Sequence, residues 1–152
     1  MTEQDPLRYS ILASGSTGNV TYLETNEHRI LIDAGLSGKK IENLMAKIDR
    51  SLADVDAIFV THEHTDHCHG VGVLARRYGM DVYANKGTWD AMASKVGKIA
   101  LDQKHIIAPN SVKDLGDIDV ESFAVSHDAA EPQFYQVHHN NKTFCIITDT
   151  GY

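Results

Sequence analysis

The run Thr61-His62-Glu63-His64-Thr65-Asp66-His67-Cys68-His69-Gly70 constrains this chain more than any other stretch. Three imidazoles and a carboxylate, from His62, His64, Asp66 and His67, fall within six positions. Imidazole is the commonest side-chain metal ligand, and a carboxylate oxygen beside it suits a hard or borderline divalent ion. Residues 56–61, Asp-Ala-Ile-Phe-Val-Thr, read as a buried strand, and residues 68–78 read as a helix. The cluster therefore occupies a tight strand-to-helix turn at the carboxyl end of a strand, where sheet-based folds place their chemistry.

The remainder supplies the sheet that such a turn needs. Residues 8–13 predict a first strand, broken by the turn formers of Ser14 to Asn19. Residues 20–25 and 28–33 predict a hairpin around Asn26-Glu27. Ile41, Leu44, Met45 and Ile48 repeat at i, i+3, i+4 and i+7, which predicts a helix from Gly38 to Ile48 with Ser37 as its N-cap. After a connector over residues 52–56 and the central turn, Val71, Leu74, Ala75 and Tyr78 share one helical face, and Gly79 suits a C-terminal cap. Residues 81–84 predict a short strand, and residues 86–96 a helix with Trp89, Met92, Ala93 and Val96 towards the core. From His105 onward the pattern is β. Ile118, Val120 and Ser122 alternate over residues 117–126, with a change of phase and a plausible bulge near Phe123. Residues 133–138 and 142–148 pair across His139-Asn140-Asn141. The order of elements predicts an α/β layered domain.

Three strand ends carry metal-type residues: His62 to His67, His127 and Asp149. A catalytic zinc-type site combines protein ligands with an open position for water. His62, His64 and His127 make a three-histidine site of this kind, Asp66 and His67 begin a second, and Asp149 can bridge both. Two ions about 3.5–4 Å apart polarise a substrate and activate a shared water. Asp33, at its own strand end, reads equally as an orienting partner of a ligating histidine or as an ordinary polar terminus.

These residues resemble the metallo-β-lactamase superfamily in the Thr61-His62-x-His64-x-Asp66-His67 signature. The Ile32-Asp33-Ala34-Gly35 strand end, the isolated His127 and the Thr148-Asp149-Thr150-Gly151 turn match it too. Residues 12–19, 31–40, 70–76, 126–132 and 148–152 resemble more narrowly its YycJ (WalJ)-like branch, cytoplasmic bacterial proteins associated with DNA exonuclease activity. The resemblance implies an αββα sandwich of two similar halves. It also implies two divalent ions, zinc or manganese with iron also compatible, one held by His62, His64 and His127, the other by Asp66 and His67, with Asp149 between them. Asp66 carries a catalytic role on the same ground. A further histidine from the second half completes such sites, so residues 1–152 are expected to be the N-terminal portion of a domain whose second half is truncated. Another copy of the chain or that missing half would cover the sheet face left bare.

The leading expectation is a metal-dependent hydrolase: a DNA exonuclease in which a hydroxide activated by two metals attacks phosphorus. Ser14, Ser16 and Asn19 would help seat the substrate phosphate. From the loop alone a plain glycine-rich turn is simpler, because it has no P-loop lysine and opens no helix. The same hydroxide can attack a carbonyl, so a thioester, lactone or lactam hydrolase is the alternative. An inactive half-domain holding one metal weakly is a third reading for the isolated chain. A formal charge of −7 argues mildly against broad nucleic-acid binding without excluding a nuclease, since bound ions offset clustered carboxylates. With 42% hydrophobic and 23% charged residues the composition is globular. No apolar run approaches membrane-spanning length, residues 1–6 predict no signal peptide, and two cysteines make no disulfide framework, so a cytoplasmic setting without membrane partners is expected. Cys68 is expected to fill the helix–sheet contact and Cys145 to lie in the core. His69 and the Arg76-Arg77 pair are expected on helix surfaces, Glu63 and Thr65 away from the metals, and His28, His105, His138 and His139 at the exterior.

Overall fold

The computed structural model describes residues 6–124 and 133–146. Its first sheet has the order β1-β2-β3-β4-β5-β6, formed by Arg8–Ala13, Val20–Glu24, Arg29–Ile32, Ala57–Phe59, Asp81–Ala84 and Lys104–Ile106. The first three strands are antiparallel, and β3 to β6 run parallel. Helices α1 (Gly38–Lys47), α2 (Thr65–Cys68), α3 (Val71–Tyr78) and α4 (Lys86–Val96) supply the connections between the parallel strands β3, β4, β5 and β6. A second, antiparallel sheet has the order β10-β9-β8-β7, from Lys142–Ile146, Gln133–His139, Asp119–Ala124 and Val112–Asp114.

The all-apolar run at the centre follows from this layering. In β4 every side chain is buried, because parallel strands are covered on both faces. Period two divides them. Ile58 and Val60 join the helix-side core with Ile41, Leu74 and Met92, and Ala57 and Phe59 join the inter-sheet core with Ile118, Val120, Tyr135 and Val137. Phe59 stacks on Tyr83 at 4.6 Å and meets Tyr135 edge-on at 5.5 Å, an arrangement favoured by ring quadrupoles.

Several expectations change. The helix drawn from residue 68 to 78 is two helices, because Gly70 breaks it. The Gly70 N–H donates to Ala34 O at 2.7 Å, and a Cβ there would sit 2.3 Å from Leu36 O. The register of β8 on β9 is continuous from Asp119 to Ala124, so there is no bulge at Phe123. Strand β7 went unforeseen, since its three residues are all exposed and carry no alternation. Cys145 is exposed rather than core, because β10 is the edge strand and its alternation cannot say which face is covered. His139 is buried rather than external, its Nδ1 2.7 Å from Asp117 O, and Ala93 is exposed. Arg76 is exposed as expected, but it also braces α4, donating to Val96 O and Lys98 O at 2.7 and 2.9 Å. No helix among the described residues is long and apolar enough to cross a membrane.

Candidate metal centre

The central turn is assembled from three backbone segments at the carboxyl ends of β3 and β4. Asp33 ends β3 in the left-handed region, with φ of 64°, a conformation that aspartate tolerates better than most residues. Its N–H stays on the sheet, donating to Phe59 O at 2.8 Å, while its buried carboxylate faces Thr61. The Thr61 N–H donates to Asp33 Oδ1 at 2.7 Å and the Thr61 hydroxyl to Asp33 Oδ2 at 2.8 Å.

This carboxylate sets the imidazole tautomers. His67 Nδ1 lies 2.6 Å from Asp33 Oδ2, so it is Nδ1 that carries the hydrogen. The Thr61 hydroxyl spends its hydrogen on Asp33, so its oxygen accepts from His62 Nδ1 at 3.0 Å. The chain of bonds runs His62 Nδ1–H to Thr61 O–H to Asp33, with His67 Nδ1–H arriving from the other side. Both buried rings therefore carry their lone pair on Nε2, the form in which imidazole ligates a metal. The His62 ring lies 4.6 Å from that of His64 and 4.0 Å from that of His67. Asp66 Oδ2 is 3.4 Å from His67 Nε2.

The ligand turn is held mainly by backbone. Asn19 N donates to Asp66 O at 2.7 Å, Ala34 N to His67 O at 2.9 Å, and Gly35 N to Asn19 O at 3.0 Å. The Asn19 amide adds contacts to Gly15 O, Asp66 O and Asp66 Oδ2 at 2.9, 3.1 and 3.2 Å. Gly35 is required by this closeness: a Cβ would lie 1.8 Å from Asp66 O. On the far side, Lys95 Nζ and Cys68 Sγ both donate to Glu63 O, at 2.8 and 3.2 Å. Burial raises the Cys68 thiol to about 11, so it is a neutral filler and not a thiolate ligand at ordinary pH. The second sheet is tied in as well, Gln133 N donating to Thr61 O at 2.9 Å and the Tyr135 hydroxyl to Val60 O at 2.6 Å.

The sequence-level candidates divide accordingly. His62, His64, Asp66 and His67 are brought together, while His127 and Asp149 lie outside the described residues. Among the described residues no three His, Cys, Asp or Glu side chains are arranged to hold an ion by themselves. Ser14 and Ser16 are exposed on their loop, and Asn19 turns inward to brace Asp66. His69 is exposed on the helix side, and Thr65 is exposed too. Asp33 proves to be the orienting partner. The Thr61 hydroxyl was not foreseen as the relay between two rings; a hydroxyl residue closing an otherwise apolar strand was its only sequence signal.

The family described as the metallo-beta-lactamase superfamily matches residues 13–152. The chain belongs to the metallo-beta-lactamase superfamily. Its divalent-metal chemistry accords with the donor set of the turn. Exodeoxyribonuclease WalJ of Streptococcus pneumoniae serotype 2 is 59% identical over 147 residues, covering 95% of this chain and 55% of that protein. Exodeoxyribonuclease YycJ of Bacillus anthracis is 56% identical over 146 residues, covering 96% and 55%. The likeness therefore falls in the YycJ (WalJ)-like branch, and the chain spans about half the length of these relatives. A metallo-beta-lactamase from Cronobacter sakazakii superposes with a TM-score of 0.76 at 21% identity, over 91% of this chain and 62% of that one. A B3 metallo-beta-lactamase with an active-site glutamic acid gives 0.73 at 18% identity, over 91% and 57%. These two speak for the fold alone.

Proposed function

We propose that residues 1–152 are the N-terminal portion of a metal-dependent DNA exonuclease. The observation that carries the hydrolase reading is the bond chain through Asp33 and Thr61, which presents Nε2 of His62 and His67 beside the Asp66 carboxylate. Likeness along nearly the whole chain to two exodeoxyribonucleases supports DNA as the substrate. In this reading His62, His64 and His127 would hold one ion and Asp66 and His67 the other, with Asp149 contributing a carboxylate ligand. Bound divalent ions would supply Lewis acidity, lowering the pKa of a water and drawing charge from the phosphate.

The chain's own residues do the positioning. Asp33 holds His67 in one tautomer and one rotation, and Thr61 does so for His62. Asn19 fixes the Asp66 carboxylate through Oδ2, and the main-chain bonds from Asn19 and Ala34 keep the turn from rearranging as it binds or releases ligand. Such pre-organisation is what a two-ion site requires, because misplacing a ligand by a fraction of an ångström loses affinity steeply.

The full-length protein should release nucleotides from linear DNA in the presence of Mn²⁺ or Zn²⁺. His64→Ala and Asp66→Ala should each reduce this at least about a hundredfold, with circular dichroism unchanged. Intact DNA under those conditions, together with turnover in an ester and thioester panel, would replace this reading with a small-molecule hydrolase.

A further inference from the structure

Beside Asp66 a groove of about 390 Å³ runs between the Ser14–Asn19 loop, the start of α1 and α2. Its polar lining includes Ser16, Thr17, Lys40 and His69, with Leu36 among its apolar walls. Asp66 is the carboxylate that the groove shares with the metal turn. Lys40 is exposed and makes no ion pair with any described residue, whereas its neighbour Lys39 is engaged by Glu42 at 3.6 Å. Lys40 therefore brings an uncompensated positive charge to a groove that it shares with Ser16 and Thr17, in a chain of net charge −7.

The walls are held for a reason independent of these side chains. A Cβ on Gly18 would fall 3.0 Å from Gly35 O, and one on Gly35 would fall 1.8 Å from Asp66 O. The loop, the entry to α1 and the ligand turn are thus locked at main-chain distance, and the groove keeps a fixed offset from Asp66. A linear polynucleotide presents evenly spaced phosphates, so a strand engaged at the turn carries further phosphates along the groove that adjoins Asp66. A thioester or lactone offers nothing for a second anionic subsite.

Resting on the exonuclease reading above, we propose that this groove is a backbone subsite that takes the phosphodiester adjacent to the scissile one. Lys40 is its cation, and the hydroxyls of Ser16 and Thr17 with the His69 ring are its hydrogen-bonding wall. Contacts of this kind position a strand without reading its bases, so the subsite selects for polynucleotide over small esters and not for sequence. It also assigns a use to the exposed Ser16 side chain that leaves Asn19 to its structural task.

The test compares Lys40→Met, Lys40→Arg and the parent full-length protein on two substrates. One is a single-stranded oligonucleotide, and the other is the p-nitrophenyl ester of thymidine 5′-monophosphate, which has one phosphodiester. Lys40→Met should raise KM for the oligonucleotide about tenfold relative to KM for the ester. The dependence of log KM on log salt should flatten by about 0.7, one phosphate contact on a single strand. Lys40→Arg should restore most of both. Anisotropy of the labelled oligonucleotide on metal-free protein should show the same loss of binding. An unchanged KM ratio and salt slope in a parent enzyme that does degrade DNA would overturn the subsite alone. A parent protein that neither binds nor degrades DNA would overturn the exonuclease reading and the subsite together.

Discussion

At the amino ends of the parallel strands, Glu24 is buried beneath a shell of opposing charge; at their carboxyl ends, Asp33 is buried among an amide, a hydroxyl and an imidazole. Arg50 meets both oxygens of Glu24 at 2.6 and 2.8 Å, the Tyr22 hydroxyl adds a 2.5 Å bond, and Arg8 and Arg29 stand 3.7 Å away. The Arg50 hydrogen bonds lead in holding the Glu24 carboxyl down to about 2. Around Asp33 the donors are an amide, a hydroxyl and an imidazole, and among the described residues no lysine or arginine reaches it. A buried carboxylate that only stabilises a fold is completed by a cation. Asp33 is instead satisfied by hydrogen bonds, which tie it to the imidazole-bearing turn.

The comparison can be broken most severely at the carboxyl end. Gly35→Ala drives a Cβ into Asp66 O and to 2.7 Å from Asn19 N. It should lower stability by about 3 kcal/mol or more in urea unfolding and lower metal content at the same time. Asp33→Ala strands the buried Thr61 N–H and releases His67. It should lose about 2–3 kcal/mol, and metal affinity measured by competition with a chelator should drop roughly 10–100-fold. Arg50→Met at the amino end should lower the urea midpoint by less than Asp33→Ala does, while leaving metal affinity within about twofold. If it moved metal binding as much as Asp33→Ala does, the two ends would not be separable.

Acid unfolding sharpens the same contrast. The folded pKa of Glu24, about 2, lies below its ordinary 4.5. Stability from that network is fully present above pH 4.5 and drains as pH falls towards 2. Denaturant midpoints between pH 5 and 2 should drop by the equivalent of about 2 kcal/mol more in the parent protein than in Glu24→Gln. The smallest effect belongs to Asn19→Ala, about 1 kcal/mol, read best as faster amide exchange in residues 15–19.

What could be read in advance follows the range of the forces involved. Helix α1 with its Ser37 cap, α4 and the β9–β10 hairpin are specified locally by period and capping, and they stand nearly where expected. The ligand turn was legible because four ligand-type residues in six positions have no other use. Cys145 and His139 were misjudged because alternation gives a strand two faces without saying which one meets a partner. The closure of the Ser14–Asn19 loop onto Asp66 was invisible for a different cause: main-chain hydrogen bonds between distant segments leave no side-chain signature beyond a glycine such as Gly35. His127 and Asp149 were named from the sequence and lie outside the described residues.

Those main-chain bonds between Asn19, Ala34, Asp66 and His67 have an evolutionary consequence. They hold the turn in place whatever side chains occupy the outer positions of the same loops, so Ser16, Thr17, Lys40 and His69 can vary without disturbing its main-chain frame. If the proposed subsite holds, a lineage carrying this scaffold could change substrate by rewriting the groove while the turn beside it is inherited intact.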